Sequence, residues 1–310
     1  TVAQQDSVQH PVHSSQILKR LPKGARIAVS NLLQKLIRDV LLHPTSTAAW
    51  SRLYRFPSAC LAKPGRGGKS RHLTTSIIKQ VRLYETGIDP SPVPDHTVRP
   101  APVKRHDDQL AAMASAKLED GDVKGAVRLL CSDDRLAAVN TETFTALGKL
   151  HPQAPVDRRP PPSTNIPPLQ ASPAAITKAV LSFPSGSAAG PDGLRPQHLK
   201  DLLLGAADDD PLLAAVTDLT NLMLEGKTPL SVCSTIFGAT LLAIAKKNGG
   251  IRPIAVGYVW RRLTAKVACS YVKEASAAKL APTQLGFGIQ GGAEAAVRAV
   301  RRYIENINRE

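Results

Sequence analysis

The sequence predicts a mainly α protein with a small α/β part. Apolar residues recur at helical spacing through much of the chain. One stretch, Ile236 to Val256, joins two apolar runs through Asn248-Gly249, which is typical of a β-hairpin. Pro-rich stretches separate the helical patterns. We therefore expect a helical N-terminal region, a Pro-rich linker and a final part that contains the hairpin.

The charge of the chain is strongly basic and unevenly distributed. The 310 residues, enough for two domains, carry 40 Lys and Arg against 25 Asp and Glu, a net charge of +15. Residues 1–105 carry a net +12, residues 106–227 a net −5 and residues 228–310 a net +8. This balance favours a polyanionic partner, nucleic acid before a membrane, which would meet the two basic ends.

Several classes of protein are disfavoured by the sequence. No apolar run approaches the roughly 20 residues of a membrane span, and no signal peptide opens the chain. The chain begins at Thr1 and ends inside a predicted helix at Glu310, so we expect a fragment. The cysteines lack the paired spacing of zinc sites and are expected to be buried and reduced: Cys60, Cys131, Cys233 and Cys269.

The N-terminal region, residues 1–105, is predicted to be basic, helical and partly disordered. Helical spacing predicts helices over Ile27–Leu42 and residues 73–85, with a short aromatic turn, Trp50–Phe56, between them. Pro64–Ser70 lacks the first glycine of a P-loop, so we expect a flexible turn, or alternatively a basic loop that touches RNA backbone. The region is expected to be less ordered than the rest, and it need not pack on the later helices.

A segment of short helices and a linker are predicted next. Residues 106–150 form the helical segment, and residues 151–172 form the linker, because seven prolines lie between His151 and Pro168. Helical spacing and cap residues predict three short helices before the linker: Gln109–Glu119, Val123–Leu130 and Thr141–Leu150.

The last part, residues 173–310, combines helices with the hairpin. His198 is expected to be a surface residue of one helix. On the helix that follows the hairpin, Tyr271 is expected to face inward and the basic side chains largely outward. The predicted helices are Pro173–Phe183, Pro196–Leu204, Leu212–Glu225, Tyr258–Ala278 and Ala293–Ile307.

The hairpin is the most distinctive element of the last part. Its first arm, Ile236–Ala245, is apolar on both faces, as a strand covered on both sides is. Asn248-Gly249 predicts a type I′ turn, because both residues tolerate a positive φ. The return arm, Ile251–Val256, contains Pro253, which cannot donate a ladder hydrogen bond, so this arm is expected at the edge of a sheet.

Three cationic side chains surround the predicted turn: Lys246, Lys247 and Arg252, which we call the basic tip. Cross-strand neighbours lie within side-chain reach, and Arg and Lys bind phosphate as a planar fork and a point charge. The basic tip is therefore suited to binding a phosphate chain. The alternative is a solvated turn whose charges only aid solubility. A bulge at Gly249-Gly250 would change which lysine shares a face with Arg252.

The hairpin lies in an ordered set of motifs. SAAGPDGLRPQHLK precedes it at Ser187–Lys200, and RRLTAKV and QLGFGIQGG follow it at Arg261–Val267 and Gln284–Gly292. This order resembles the fingers half of the reverse transcriptases carried by non-LTR retrotransposons, over roughly residues 173–310. More loosely, Arg55–Ser70 and the helix after it resemble the leader of the same retroelement proteins.

The resemblance implies part of an RNA-directed DNA polymerase, a nucleotidyltransferase whose hairpin covers the incoming nucleotide. It implies an RNA template, a DNA primer and a deoxynucleoside triphosphate as partners, and Mg²⁺ and a nuclear, intracellular location for the full-length protein. By position, Arg252 would bind the nucleotide, helped by Lys246 or Lys247. The residues expected to bind nucleic acid are Arg261, Arg262, Lys266, Gln284 and Gly286.

The catalytic carboxylates of that family are not expected in this chain. Nucleotidyl transfer uses two metal ions clamped by carboxylates, which in the resembled family follow the last helix present here. The acidic runs in this sequence precede the hairpin and adjoin helices: Asp107-Asp108, Asp133-Asp134 and Asp208–Asp210. We therefore expect a fragment that binds template and nucleotide but is inactive alone, or alternatively a non-catalytic basic module that binds RNA or DNA.

Overall fold

The structure, a computed structural model, describes residues 17–63, 72–90, 106–119, 121–131, 135–151, 167–207, 209–246, 249–287 and 289–307. The chain forms two compact units, Thr1–Leu263 and Thr264–Glu310. The predicted fold class, mainly α with a small antiparallel sheet, is confirmed. Pro64–Ser70 lies outside the described residues, as do most of the Pro-rich stretches.

Three helices build the N-terminal part of the first unit. They are α1 (Arg26–Leu42), α2 (Thr47–Cys60) and α3 (Leu73–Glu85). The predictions for α1 and α3 are confirmed, whereas α2 is a full helix where a short turn was expected. The Ser46 hydroxyl caps α2 by accepting the Ala49 N–H at 3.2 Å, and the aromatic residues then form its buried face.

The next three helices are α4 (His106–Glu119), α5 (Val123–Cys131) and α6 (Thr141–Leu150). They match the predicted segments closely. Asn140 caps α6, because its Oδ1 accepts the Thr143 N–H at 2.8 Å. α4 packs on α5, but many of the apolar side chains in this segment are exposed, including Phe144 at 78%.

Four helices precede the hairpin: α7 (Pro173–Leu181), α8 (Pro196–Leu203), α9 (Pro211–Leu224) and α10 (Leu230–Ile236). The first three were predicted, and Ser172 and Asp210 cap α7 and α9 as side-chain acceptors. α10 was not predicted, because its end, Ile236, was assigned to the first strand of the hairpin. Phe237 and Gly238 separate this helix from the strand.

The N-terminal helices pack on the later ones, a point that the sequence left open. α1 lies along α9, and Leu33 and Val216, one from each helix, are completely buried. At the solvent side of the two helices, Arg38 Nη1 lies 2.5 Å from Asp218 Oδ2. Residues from both ends of the first unit therefore share one apolar core, whose burial is the main source of stability. The proposed domain boundaries stay predictions.

His198 joins α8 to the N-terminal segment and is completely buried, so its expected surface position is wrong. Its Nε2 donates to the Leu18 carbonyl at 2.7 Å, while its Nδ1 accepts the Arg195 N–H at 3.2 Å. Because Nδ1 accepts a hydrogen bond, the ring is the neutral imidazole with its proton on Nε2. Burial lowers the pKa of His198 to about 4, which keeps the ring neutral at physiological pH.

Asp201, one turn further along α8, makes a second link to the N-terminal segment. Its carboxylate accepts the Leu21 N–H at 2.8 Å and lies 3.2 Å from Nη2 of Arg26. A buried carboxylate is tolerated when it is paired in this way, since the partners replace the lost water. Polar contacts therefore fix the chain before α1 against α8.

The sheet has three antiparallel strands in the order β1 (Arg135–Leu136), β2 (Ala239–Ala245) and β3 (Ile251–Gly257). β2 and β3 are the predicted hairpin, which is confirmed with a first arm that begins three residues later than expected. β1 was not predicted, because a two-residue strand is too short to show a period. It pairs with the end of β2 next to the turn.

The last two helices are α11 (Val259–Leu280) and α12 (Gly292–Ile307). Tyr271 of α11 is 71% exposed, so the expectation that it faces inward is wrong. Among the described helices, none combines the length and apolar character needed to cross a bilayer. The expectation for the cysteines is correct for Cys60 and wrong for Cys131 and Cys269, which are exposed.

Candidate functional site

The register of the hairpin decides which side chains share a face. Ile244 of β2 is opposite Arg252 of β3, and Ala245 is opposite Ile251. One step further, the Lys246 N–H donates to the Gly250 carbonyl at 2.8 Å, so the pairing continues to that position. Side chains alternate between the two faces along a strand. Lys246, Ile244 and Arg252 therefore lie on the same face.

The turn differs from the predicted two-residue type I′ turn. Because Lys246 pairs with Gly250, residues 247–249 connect the strands, and the Gly249 N–H donates to the Lys246 carbonyl at 3.1 Å. Gly249 has a φ of +78°, a conformation that favours glycine. A three-residue connection that ends in such a glycine is a common hairpin type. Lys247 lies outside the described residues.

This register places two cations of the basic tip on one face. Lys246 and Arg252 occupy diagonal positions there, and diagonal neighbours lie about 7–8 Å apart, within reach of long side chains. Both side chains are exposed. The sequence left open which lysine shares a face with Arg252, and the register shows that it is Lys246. Whether they bind nucleotide stays a prediction.

The apolar faces of the hairpin are open, so the expected cover on both sides is wrong. Leu241 is 39% exposed, Leu242 41% and Ile254 37%. Leu242 and Ile254 are opposite each other and lie on the face of Arg252, whereas Leu241 lies on the other face. The basic tip therefore adjoins an exposed apolar surface of the same hairpin.

β3 lies at the edge of the sheet within the part of the chain that the structure describes, as Pro253 predicted. Hydrogen-bonded pairs alternate along an antiparallel ladder, and the pair of Lys246 and Gly250 is one of them. Pro253 then falls at a position where its missing N–H faces away from β2. The proline interrupts the free edge without weakening the hairpin.

Arg261 lies at the root of the hairpin, which we define as Phe237–Gly238 and Gly257–Tyr258. Its Nη1 donates to the Phe237 carbonyl at 2.8 Å. A Cβ added to Gly257 would lie 3.3 Å from the same nitrogen, so the guanidinium passes close to the end of β3. Although the side chain is exposed, it is a structural contact between α11 and both strands.

Arg262 holds the start of α11 against the loop that follows α7. Its Nη1 donates to the Ala188 carbonyl at 2.8 Å, and its guanidinium carbon lies 5.3 Å from the centre of the Phe183 ring. The side chain is half-buried, and burial lowers the pKa of its guanidinium. No pattern in the sequence marks Phe183 and Ala188 as partners of this arginine.

The GPDG motif forms a tight turn below the root. The Gly190 N–H donates to the Leu194 carbonyl at 3.0 Å, and the Gly193 N–H donates to the Gly190 carbonyl at 2.9 Å. A Cβ on Gly190 would lie 2.9 Å from Cα of Tyr258, a distance too short for any side chain. Glycine is therefore required at Gly190 so that this turn can touch the root.

Asp192 of this motif is 1% exposed. Its Oδ1 accepts the Leu194 N–H at 3.1 Å, whereas Oδ2 has no hydrogen-bond partner among the described residues. Burial raises the pKa of Asp192 to about 7, because the charged form is poorly solvated there. The hydroxyl of Tyr54 is also buried without a hydrogen-bond partner in the described structure, and burial, with Tyr258 and Asp192 nearby, raises its pKa.

The other residues expected to bind nucleic acid belong to the second unit. Lys266 is half-buried on α11, and Gln284 and Gly286 are exposed in the turn after it. The Gln284 Oε1 accepts the Gly286 N–H at 2.7 Å, so these two residues stabilise their own turn. Their role in binding nucleic acid stays a prediction.

The described residues offer no metal centre. Among them, no group of three or more His, Cys, Asp or Glu side chains is placed to hold a metal ion. Asp210, part of an acidic run, instead accepts the N–H groups of Leu212 and Leu213 at 2.9 Å and caps α9. The described residues therefore do not fit the pair of Mg²⁺ ions that the resemblance implies for the full-length polymerase.

Comparison with known proteins gives one distant relative. The chain is 30% identical over 117 residues to the retrotransposable element SLACS 132 kDa protein of Trypanosoma brucei gambiense. The match covers 38% of this chain and only 9% of the length of that protein. No family model and no solved structure matches the chain. The comparison gives weak support to a retrotransposon origin and does not reach the activity.

Proposed function

We propose that the chain contributes template and incoming-nucleotide binding to a retroelement RNA-directed DNA polymerase. The observation that carries this proposal is the exposed face of the hairpin on which Lys246 and Arg252 occupy diagonal positions at the turn. The order of motifs around the hairpin, the net charge of +15 and the distant retrotransposon relative support the same conclusion.

The face of the hairpin suits a nucleotide in two respects. Arg252 supplies a planar fork and Lys246 a point charge, which together match the oxygens of a triphosphate. Leu242 and Ile254 provide exposed apolar surface next to these cations, and the faces of a sugar and base can pack on such a surface. The proposal assigns this chain binding and orientation, and it derives no catalytic step from the described residues.

Nucleotide binding by the purified chain tests the proposal directly. Titration of a fluorescent deoxynucleoside triphosphate is expected to give saturable binding that Arg252→Ala and Lys246→Ala each weaken about tenfold, because each removes a charge-assisted contact. Arg135→Ala is the matched control. Arg135 is exposed on the same sheet, but it is opposite Ala245 and therefore lies on the other face. Its replacement is expected to leave the affinity unchanged.

The outcomes separate this proposal from a non-catalytic basic module that binds RNA or DNA. Equal losses from Arg252→Ala and Arg135→Ala would mean that only net charge matters, which favours the basic module. Primer extension on an RNA template with Mg²⁺ is expected to give no product with this chain alone, since no described carboxylate group holds a metal pair. If a clean preparation of the chain formed product, the proposal that this chain binds nucleotide without catalysing its transfer would be contradicted.

A further inference from the structure

We propose that Arg261 and Arg262 are positioning residues, which fix the direction of the hairpin instead of contacting nucleic acid. The inference rests on the proposed function only because the group that they position is the basic tip. Both side chains are committed to backbone carbonyls of the protein at 2.8 Å. Each carbonyl lies at a junction between the hairpin or its neighbouring loop and α11.

Arg262 is held from two sides. The guanidinium donates to the Ala188 carbonyl through Nη1, and its central carbon lies over the Phe183 ring, at 5.3 Å from the ring centre. A cation over an aromatic ring gains more when it is partly removed from water, as the half-buried Arg262 is. A phosphate could reach this guanidinium only by competing with both contacts.

Arg261 ties the two strands together at their root. Its Nη1 binds the Phe237 carbonyl just before β2 and passes within 3.3 Å of the Cβ position of Gly257, where β3 ends. A larger residue at Gly257 would press on this guanidinium. The contact therefore sets how the paired strands leave the helical part of the first unit.

The hairpin depends on its root because little else holds it. Its faces are exposed, β1 adds only two paired residues, and α6, which lies against β3, has no buried residue. Strands of seven residues extend about 20 Å at about 3.3 Å per residue. A tilt of about 10° at the root would therefore move the basic tip by roughly 3 Å, enough to lose a phosphate contact.

A distance measurement tests the inference without any ligand. Spin labels on non-natural side chains at Leu242 of β2 and Lys178 of α7 report the direction of the hairpin within the first unit. Arg262→Gln and Arg261→Gln are each expected to broaden the distance distribution, and Arg262→Lys to broaden it less. The lysine can still donate to Ala188, but it lacks the planar guanidinium that lies over Phe183. Lys273→Gln, an exposed cation on α11, is the control and should leave the distribution unchanged.

The salt dependence of triphosphate binding supplies the second readout. A residue that contacts phosphate contributes about one unit to the slope of log affinity against log salt. Arg262→Gln is therefore expected to weaken binding about tenfold with an unchanged slope, because it acts through the position of Arg252. An unchanged distance distribution, or a slope reduced by about one, would overturn the inference. If the parent chain binds no triphosphate, the proposed function fails, while the label distances still decide this inference.

Discussion

The helix pair of α1 and α9 and the hairpin of β2 and β3 are both rich in apolar residues, but they have opposite surroundings. Leu33 and Val216 of the helix pair are completely buried, whereas Leu242 and Ile254 of the hairpin remain about 40% exposed. Each helix of the pair is also covered by other helices, since α1 packs on α2 and α3 and α9 packs on α7. The hairpin is apolar on both faces, and both faces stay exposed. An exposed apolar surface of this kind beside cations is typical of a binding surface.

Three buried polar side chains of the two regions also differ in their hydrogen bonding. His198 and Asp201, which tie α8 to the N-terminal segment, have hydrogen-bond partners at each position described above. Asp192, below the root of the hairpin, keeps one buried oxygen without a hydrogen-bond partner among the described residues. Buried polar groups are normally paired, and an unpaired one costs about 1–3 kcal/mol. Asp192 therefore carries a cost that the paired His198 and Asp201 avoid.

The largest expected effect lies in the helix pair. Leu33→Ala should lower the free energy of unfolding by about 2–5 kcal/mol, because it removes a completely buried side chain and leaves a cavity. Urea unfolding followed by circular dichroism measures the change. Leu42→Ala on the same helix is the control, since Leu42 is 75% exposed and its loss should change stability by less than about 0.5 kcal/mol. Similar values for both variants would show that α1 is not buried against α9.

The second prediction concerns the pH dependence of stability, in which Asp192 and His198 oppose each other. The pKa of Asp192 is raised from 3.8 to about 7. The stability that Asp192 contributes is therefore fully present below pH 3.8 and is lost as pH rises to about 7. The pKa of His198 is lowered from 6.5 to about 4. The unfolded chain therefore gains a proton first, and stability is lost as pH falls from 6.5 to about 4. Between pH 4 and 6.5, the two residues therefore change the free energy of unfolding in opposite directions, and their effects cancel.

Replacing Asp192 alone should separate the two contributions to the pH dependence of stability. At pH 8, Asp192→Asn is expected to raise the free energy of unfolding by up to about 4 kcal/mol relative to the parent, because the pKa of Asp192 is raised by about three units. Near pH 4 the variant and the parent should be equally stable. With Asp192 neutralised, stability should fall as pH drops below 6.5, because the titration of His198 is then no longer opposed by that of Asp192. Urea unfolding across pH 4–8 measures both effects. A flat profile in the Asp192→Asn variant would show that His198 is not buried and neutral.

The sequence predicted the helical part because its signals are local. Ser172 and Asn140 mark helix starts through capping, and Pro44 lies two residues beyond Leu42, the last residue of α1. The hairpin was predicted for the same reason, since Gly249 and Pro253 have strong local preferences. The missed elements depend on distant partners: β1 exists because Ala245 and Ile244 pair with it. Burial of His198 likewise depends on Leu18, 180 residues away.

The candidate site shows the same limit. The sequence placed Arg252 and both lysines near the turn, but only the register selects Lys246 as the lysine on the face of Arg252. Helical spacing placed Arg261 and Arg262 on the outside of α11, where solvent or nucleic acid was expected. Their actual partners, Phe237 and Ala188, are main-chain carbonyls. Any residue type presents a carbonyl, so no sequence pattern marks these contacts.

The third prediction tests the function of the hairpin face. In a chimera that joins this chain to the catalytic carboxylate part of a resembled polymerase, Arg252→Ala should cost roughly 2–4 kcal/mol of transition-state stabilisation, the range for removal of one preorganised donor. Arg252→Lys should recover only part of this, because the planar fork is lost. Stability should change little, since the side chain is exposed. Equal kcat/KM values for the nucleotide in the parent and Arg252→Ala would remove this residue from the site.

The smallest expected effect is on the stability contributed by the hairpin face. Leu242→Thr should lower the free energy of unfolding by no more than about 1 kcal/mol, because the leucine is 41% exposed and threonine keeps a high strand propensity. Leu241→Thr, on the other face and 39% exposed, should have the same small effect. The two variants should differ in binding: only Leu242→Thr should weaken the triphosphate complex, because only Leu242 adjoins Arg252. A loss of stability as large as that of Leu33→Ala would mean that the hairpin face is buried in solution, and the contrast between the two regions would then fail.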